Sequence, residues 1–144
     1  MSEQQCFQNH RKWVPAYHYV LFPLDLAILI GAVINFFKST GGPGLYSASL
    51  ILAMAVVLII VTLFARVFAL RAQDRTIRLE ENFRKYLRDG SLLDSRLTVR
   101  QIVGLRFASD EEFDDLAARA VSENLSEDDI KKAIKNWRAD TDRV

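Results

Sequence analysis

The sequence predicts an all-α protein: a two-helix transmembrane hairpin whose second helix extends into the cytoplasm and packs with three short helices. Three observations carry this. From Leu45 to Ala65 the chain runs 21 residues without a charge, enough α-helix to cross the hydrocarbon core of a bilayer. Neither Gly nor Pro occurs between Leu45 and Asp89, so nothing local stops that helix at the membrane surface. After Gly90, three helix-start signals follow at short intervals.

In order along the chain, residues 1–19 form a polar and aromatic N-terminal segment, cytoplasmic or interfacial. Its lone Cys6 cannot make an intrachain disulfide. Cys6, His10 and His18 are ligand types, but their loose spacing and the lack of a fourth ligand nearby argue against a metal site. Residues 20–37 form the first span, 18 residues long and interrupted by Pro23, Asp25, Gly31 and Asn35. The run ends in NFFKST behind the N-terminal segment, unlike a cleaved signal peptide with its basic start and small-residue cleavage site. Residues 38–44, KSTGGPG, form an extracytoplasmic turn.

Residues 45–70 form the second span. Counting back from Arg66 at 100° per residue, Thr62, Ile59, Ala55 and Ala48 fall within about 40° of one line. On the first span Asp25, Ile28, Ala32, Asn35 and Gly31 share a sector of about 120°. Small residues permit close backbone approach in lipid, so these two faces should meet. Asp25 and Arg66 lean toward one another on antiparallel helices, which makes an ion pair plausible. An intramembrane carboxylate is also a candidate functional group, and Asp25, Arg66 and Asn35 form the candidate polar set.

Residues 71–144 form a cytoplasmic helical module. If α-helix persists unbroken from Leu45 to Arg88, it is about 66 Å long. Asp74 with Arg78, Glu80 with Arg84 and Glu81 with Lys85 offer i,i+4 support, and Gly90 is placed as a stop. Ala72, Thr76, Leu79, Phe83, Tyr86 and Leu87 make one stripe. Helix starts are expected at Thr98 with Gln101, Ser109 with Glu112, and Ser126 with Asp129, the first two as capping boxes. Ile102, Val103, Leu105 and Phe107, then Phe113, Leu116, Ala117, Ala120 and Val121, then Ile130, Ala133, Ile134 and Trp137 give each helix an apolar face. These faces should fold back on Leu79, Phe83 and Leu87.

Basic residues set the orientation. Arg66, Arg71, Arg75, Arg78, Arg84, Lys85 and Arg88 follow the second span, Arg11 and Lys12 precede the first, and the turn holds only Lys38. Both termini should therefore be cytoplasmic. Arg71, Arg75 and Arg78 lie within reach of anionic lipid headgroups or of a partner. Nucleic acid is excluded as a partner by the acidic SDEEFDD start of the second short helix, which opposes phosphate. No nucleophile triad, paired acids in a pocket or phosphate loop occurs, and GGPG lacks the Lys-Ser/Thr of a P-loop.

Four stretches, FQNHRKWVPAYHYV, ARVFALRAQDRTIRLEENFR, LTVRQIVGLRFASDEEF and IKKAIKNWRADTDRV, resemble an uncharacterised family of short bacterial membrane proteins, a domain of unknown function. The likeness covers nearly the whole chain. It implies two spans and a bacterial inner membrane, and brings no activity, cofactor or catalytic residue to transfer. The expected function is that of a non-enzymatic, multi-pass accessory or scaffold subunit, acting through its cytoplasmic module on itself or on a membrane-protein partner. The alternative is a homo-oligomeric channel or transporter component using Asp25, Asn35 and Arg66.

Overall fold

A computed structural model describes residues 5–9 and 13–140. His10, weighed above as a ligand, and Arg11 and Lys12, counted in the basic flank, lie outside the described residues. The protein is all-helical: α1 Phe22–Lys38, α2 Leu45–Asp89, α3 Val99–Leu105, α4 Asp110–Ser122 and α5 Glu127–Ala133. Among the described residues no strand forms, only an isolated antiparallel bridge between Ala108 and Trp137. The chain divides into two compact units, Trp13–Ala69 and Met1–Lys12 with Leu70–Val144.

In the first unit, a π-helical turn, Ala16–Leu21, leads into α1. Pro23 has no N–H to give Tyr19, and the turn before it is widened, with Phe22 N–H bonding to Tyr17 five residues back. After Lys38 the chain reverses through Gly41 at φ 82°, a conformation that favours glycine. Gly42 N–H bonds to Ser39 and Leu45 N–H to Gly42 on the way into α2. Asp25 and Ala32 on α1, and Ala48, Ala55 and Thr62 on α2, are buried. The faces expected to meet are therefore covered in part: Ile28, Gly31 and Asn35 of the α1 set are exposed, and large apolar side chains such as Ile30, Val57 and Phe64 point outward. The helical stretch Ala16–Lys38 and α2 are each long and apolar enough to cross a membrane.

α2 is helical at every one of its 45 residues, including Ala65–Arg71. It stops where expected: Gly90 takes φ 74° and returns its N–H to Tyr86.

In the second unit, α3, α4 and α5 enclose a core of Leu97, Ile102, Val103, Leu105, Phe107, Phe113, Leu116, Ala120, Ile130 and Ile134. Gly104 lets α3 and α5 approach closely, since a β-carbon there would lie 3.1 Å from the Glu127 carbonyl and 3.2 Å from Ile130. α2 joins this core through Ile77. The expected docking stripe lies elsewhere: Leu79, Phe83 and Leu87 are 71%, 60% and 68% exposed. The three short helices bury most of their apolar surface on one another, and what α4 has left to offer α2 is acidic. It accordingly meets the cationic side of α2. Lys85 and Arg88 both reach Asp114 at 2.8 Å, and the Arg84 guanidinium lies over the Phe113 ring at 4.8 Å.

The three helix starts fare differently. Thr98 and Gln101 form the full capping box. Ser126 accepts from Asp129 N–H and donates to its carboxylate. At Ser109 the box does not form, and the buried hydroxyl has no hydrogen-bond partner among the described residues. Glu112 is drawn away to accept the backbone N–H groups of Lys135 and Asn136, which fixes the chain leaving α5.

Candidate functional site

Two polar clusters stand out. In the Trp13–Ala69 unit, Asp25 in the first turn of α1 is 6% exposed and accepts a hydrogen bond from Thr62 Oγ1 at 2.6 Å. Tyr17 on the π turn donates its hydroxyl to the Thr62 carbonyl at 3.4 Å. Arg66, one helical turn beyond Thr62, lies over the Tyr17 ring at 5.7 Å. No ion pair joins Asp25 to Arg66: the carboxylate is taken up by the nearer hydroxyl, and the guanidinium finds an aromatic face. Asn35, ten residues along α1 from Asp25, is exposed and removed from the carboxylate by about 15 Å of helix rise.

In the other unit, a cleft of about 320 Å³ is lined by Glu80, Glu81, Arg84, Arg106, Arg138 and Asp140. Glu81 is buried and receives Arg84 at 2.9 Å and Arg138 at 3.7 Å. Arg84 also holds Asp110 at 2.7 Å and the Ala108 carbonyl at 2.8 Å. Arg106 pairs with Asp140 at 2.8 Å, and Gln5 clasps the Asp140 backbone from both sides. Burial pushes the Glu81 carboxyl above the usual range, against the pull of the two arginines. The hydrogen bond from Arg84 holds Asp110 below it. Lys85 is raised by Asp114 and Asp89, and the same lysine helps to depress Asp89.

Each guanidinium in the cleft is answered by a carboxylate, which suits an electrostatic clasp more than an anion site. The i,i+4 pairs expected along α2 give way to other pairs, some local and some reaching α4. Arg84 takes Glu81 and Asp110 in place of Glu80, and Lys85 takes Asp89 and Asp114 in place of Glu81. Arg71, Arg75 and Arg78 are exposed, and none of the three makes an ion pair among the described residues.

Over residues 1–144 the sequence matches the profile described as "Family of unknown function (DUF6526)". The chain belongs to this family. No curated protein matches it, and no solved structure does.

In this DUF6526 protein, no group of three or more His, Cys, Asp or Glu side chains is arranged to hold a metal among the described residues. His18 turns its Nδ1 to the Val14 backbone and its ring edge to Trp13 and Tyr17. Sequence reasoning found Asp25 and Arg66 but missed that Tyr17 and Thr62 stand between them. Thr62 sat on the predicted small-residue face, and its hydroxyl was the available signal. The Arg84, Arg106 and Arg138 cluster was missed altogether, because residues so far apart in the chain converge only through the helix packing. What the DUF6526 protein presents outward from α2 is the exposed arginines and the apolar stripe.

Proposed function

We propose that this protein is a non-enzymatic, two-span accessory or scaffold subunit of the bacterial inner membrane, with the segments flanking its hairpin in the cytoplasm. One observation carries the reading: beyond its apolar run, α2 keeps Leu79, Phe83, Tyr86 and Leu87 exposed on the side away from Ile77 and Glu81. An apolar patch of that size outside a lipid span is a recognised mark of an interaction surface. The exposed Arg71, Arg75 and Arg78 support a cytoplasmic placement, where basic residues accumulate and anionic headgroups attract them.

The channel reading is less well supported. Asp25 is turned to Thr62, Arg66 to Tyr17, and Asn35 stands apart, so the three do not converge on one polar path. Reconstitution of the full chain into sealed vesicles separates the two. Ion or proton flux that is lost in Asp25→Asn would overturn the scaffold reading. Protein that resists carbonate extraction and adds no flux above empty vesicles is the expected result.

A further inference from the structure

We infer that the exposed face of α2 is the seam of a parallel, in-register pair formed with a second copy of this chain. This rests on the scaffold reading above and names the partner of its surface. The spacing is the first argument. Ala72, Thr76, Leu79, Phe83 and Tyr86 alternate steps of four and three residues, the repeat by which two helices supercoil about each other. In that repeat Thr76 and Phe83 take the a positions, and Ala72, Leu79 and Tyr86 the d positions. Ile77, Glu81, Arg84 and Lys85, through which α2 meets the α3–α5 module, fall at b, c and f. Packing within the unit therefore leaves the whole seam open.

Area and charge select the occupant. Leu79, Phe83, Tyr86 and Leu87 are 71%, 60%, 54% and 68% exposed, on the order of 500 Å² of mostly apolar surface per copy and about 1,000 Å² for a symmetric pair, the scale a specific interface needs. Arg75 at g and Glu80 at e flank the seam on opposite edges. Both are exposed, and neither makes an ion pair among the described residues. In a parallel pair a g residue faces the e residue five positions on in the other helix, so Arg75 of each copy meets the other's Glu80, twice by symmetry. An antiparallel pair would lose this match, and copies inserted in one sense in a bilayer run parallel. A lipid surface would explain the arginine but not the glutamate.

The test uses the full chain with Cys6→Ser in isolated membranes and single cysteines at Leu79→Cys, Phe83→Cys and Arg78→Cys. All three sites are exposed, and only the first two lie on the seam. Oxidation should give disulfide-linked dimers at 79 and 83, with a yield at 78 lower by about tenfold, equivalent to ~1.4 kcal/mol of preference. Arg75→Glu and Glu80→Arg should each lower the Phe83→Cys yield, and the two together should restore it with helical content unchanged. Equal linkage at all three sites, no linkage at 79 and 83, or a double exchange that restores nothing would each overturn the proposal. A strictly monomeric chain that still carries no flux would refute the pair and leave the scaffold reading standing.

Discussion

Thr62 on α2 donates its hydroxyl to the buried carboxylate of Asp25 on α1 at 2.6 Å. The bond ties the two apolar helices at the level where Tyr17 also reaches the Thr62 carbonyl. Between helices in lipid, a side-chain bond of this kind contributes about 0.5 to 2 kcal/mol. Thr62→Val should therefore destabilise the hairpin by about that amount, with Thr62→Ser retaining most of it. Arg66→Gln should cost less, because the arginine does not touch the carboxylate. Unfolding of the full chain in detergent by SDS titration reads all three, and an Arg66→Gln loss exceeding that of Thr62→Val would contradict the arrangement.

Phe113 and Phe83 make a controlled contrast. The first is fully buried beneath the Arg84 guanidinium, and the second is 60% exposed. Phe113→Ala should cost about 3 to 5 kcal/mol in denaturant melts. Phe83→Ala should stay within about 0.5 kcal/mol for a dilute, unpaired chain. Comparable losses at the two sites would mean that Phe83 is a core residue after all.

Gly104 sits where α3 crosses α5, with the Glu127 carbonyl in the way of any side chain. A backbone oxygen cannot swing aside as a flexible side chain would. Gly104→Val should destabilise the module by about 2 kcal/mol or more despite the lower intrinsic cost of valine in a helix. A thermal midpoint equal to that of the parent would show that α3 and α5 do not approach so closely.

Acid should act on Asp110 and Glu81 with opposite signs. Arg84 lowers the folded-state pKa of Asp110, so its contribution is present above the usual aspartate value and is lost as the pH falls through the lowered one. The stability advantage of the parent over Asp110→Asn, held within about 1 kcal/mol by the exposure of Asp110, should fade on acidification below about pH 4. Burial raises Glu81, whose contribution is greatest when protonated and is lost as the pH rises through the raised value. The parent should accordingly gain on Glu81→Gln as the pH falls. Denaturant melts of the three chains between pH 7 and pH 3 test both slopes.

Much of this architecture was legible because its signals are local. The uninterrupted run from Leu45 to Asp89, Gly90 at φ 74°, the Thr98–Gln101 box and the apolar spacing of α3 to α5 all depend on neighbours in sequence. The docking face of α2 was not legible. Its stripe at Leu79, Phe83 and Leu87 looked like the inward side, and choosing the other side requires knowing that Asp110 and Asp114 arrive there from α4. Ser109 failed for a similar reason: Glu112 could cap its own helix or hold Lys135 and Asn136, and only the tertiary fold decides between them. The polar set around Asp25 was half legible. Helical phase located the carboxylate, but a difference of one helical turn between Thr62 and Arg66 lies below what phase alone resolves.

Gln101 draws together two places that are made at different times. Its carbonyl oxygen accepts from Thr98, while its amide nitrogen donates to the Ala120 carbonyl at 2.8 Å and to the Leu125 carbonyl at 3.1 Å. The cap at the head of α3 needs only neighbours in sequence, yet both amide hydrogens are taken up only once the chain has grown past Leu125. The ribosome therefore delivers α3 as a half-finished part. One side chain thereby makes the completed head of α3 depend on the end of α4 and the turn that follows it.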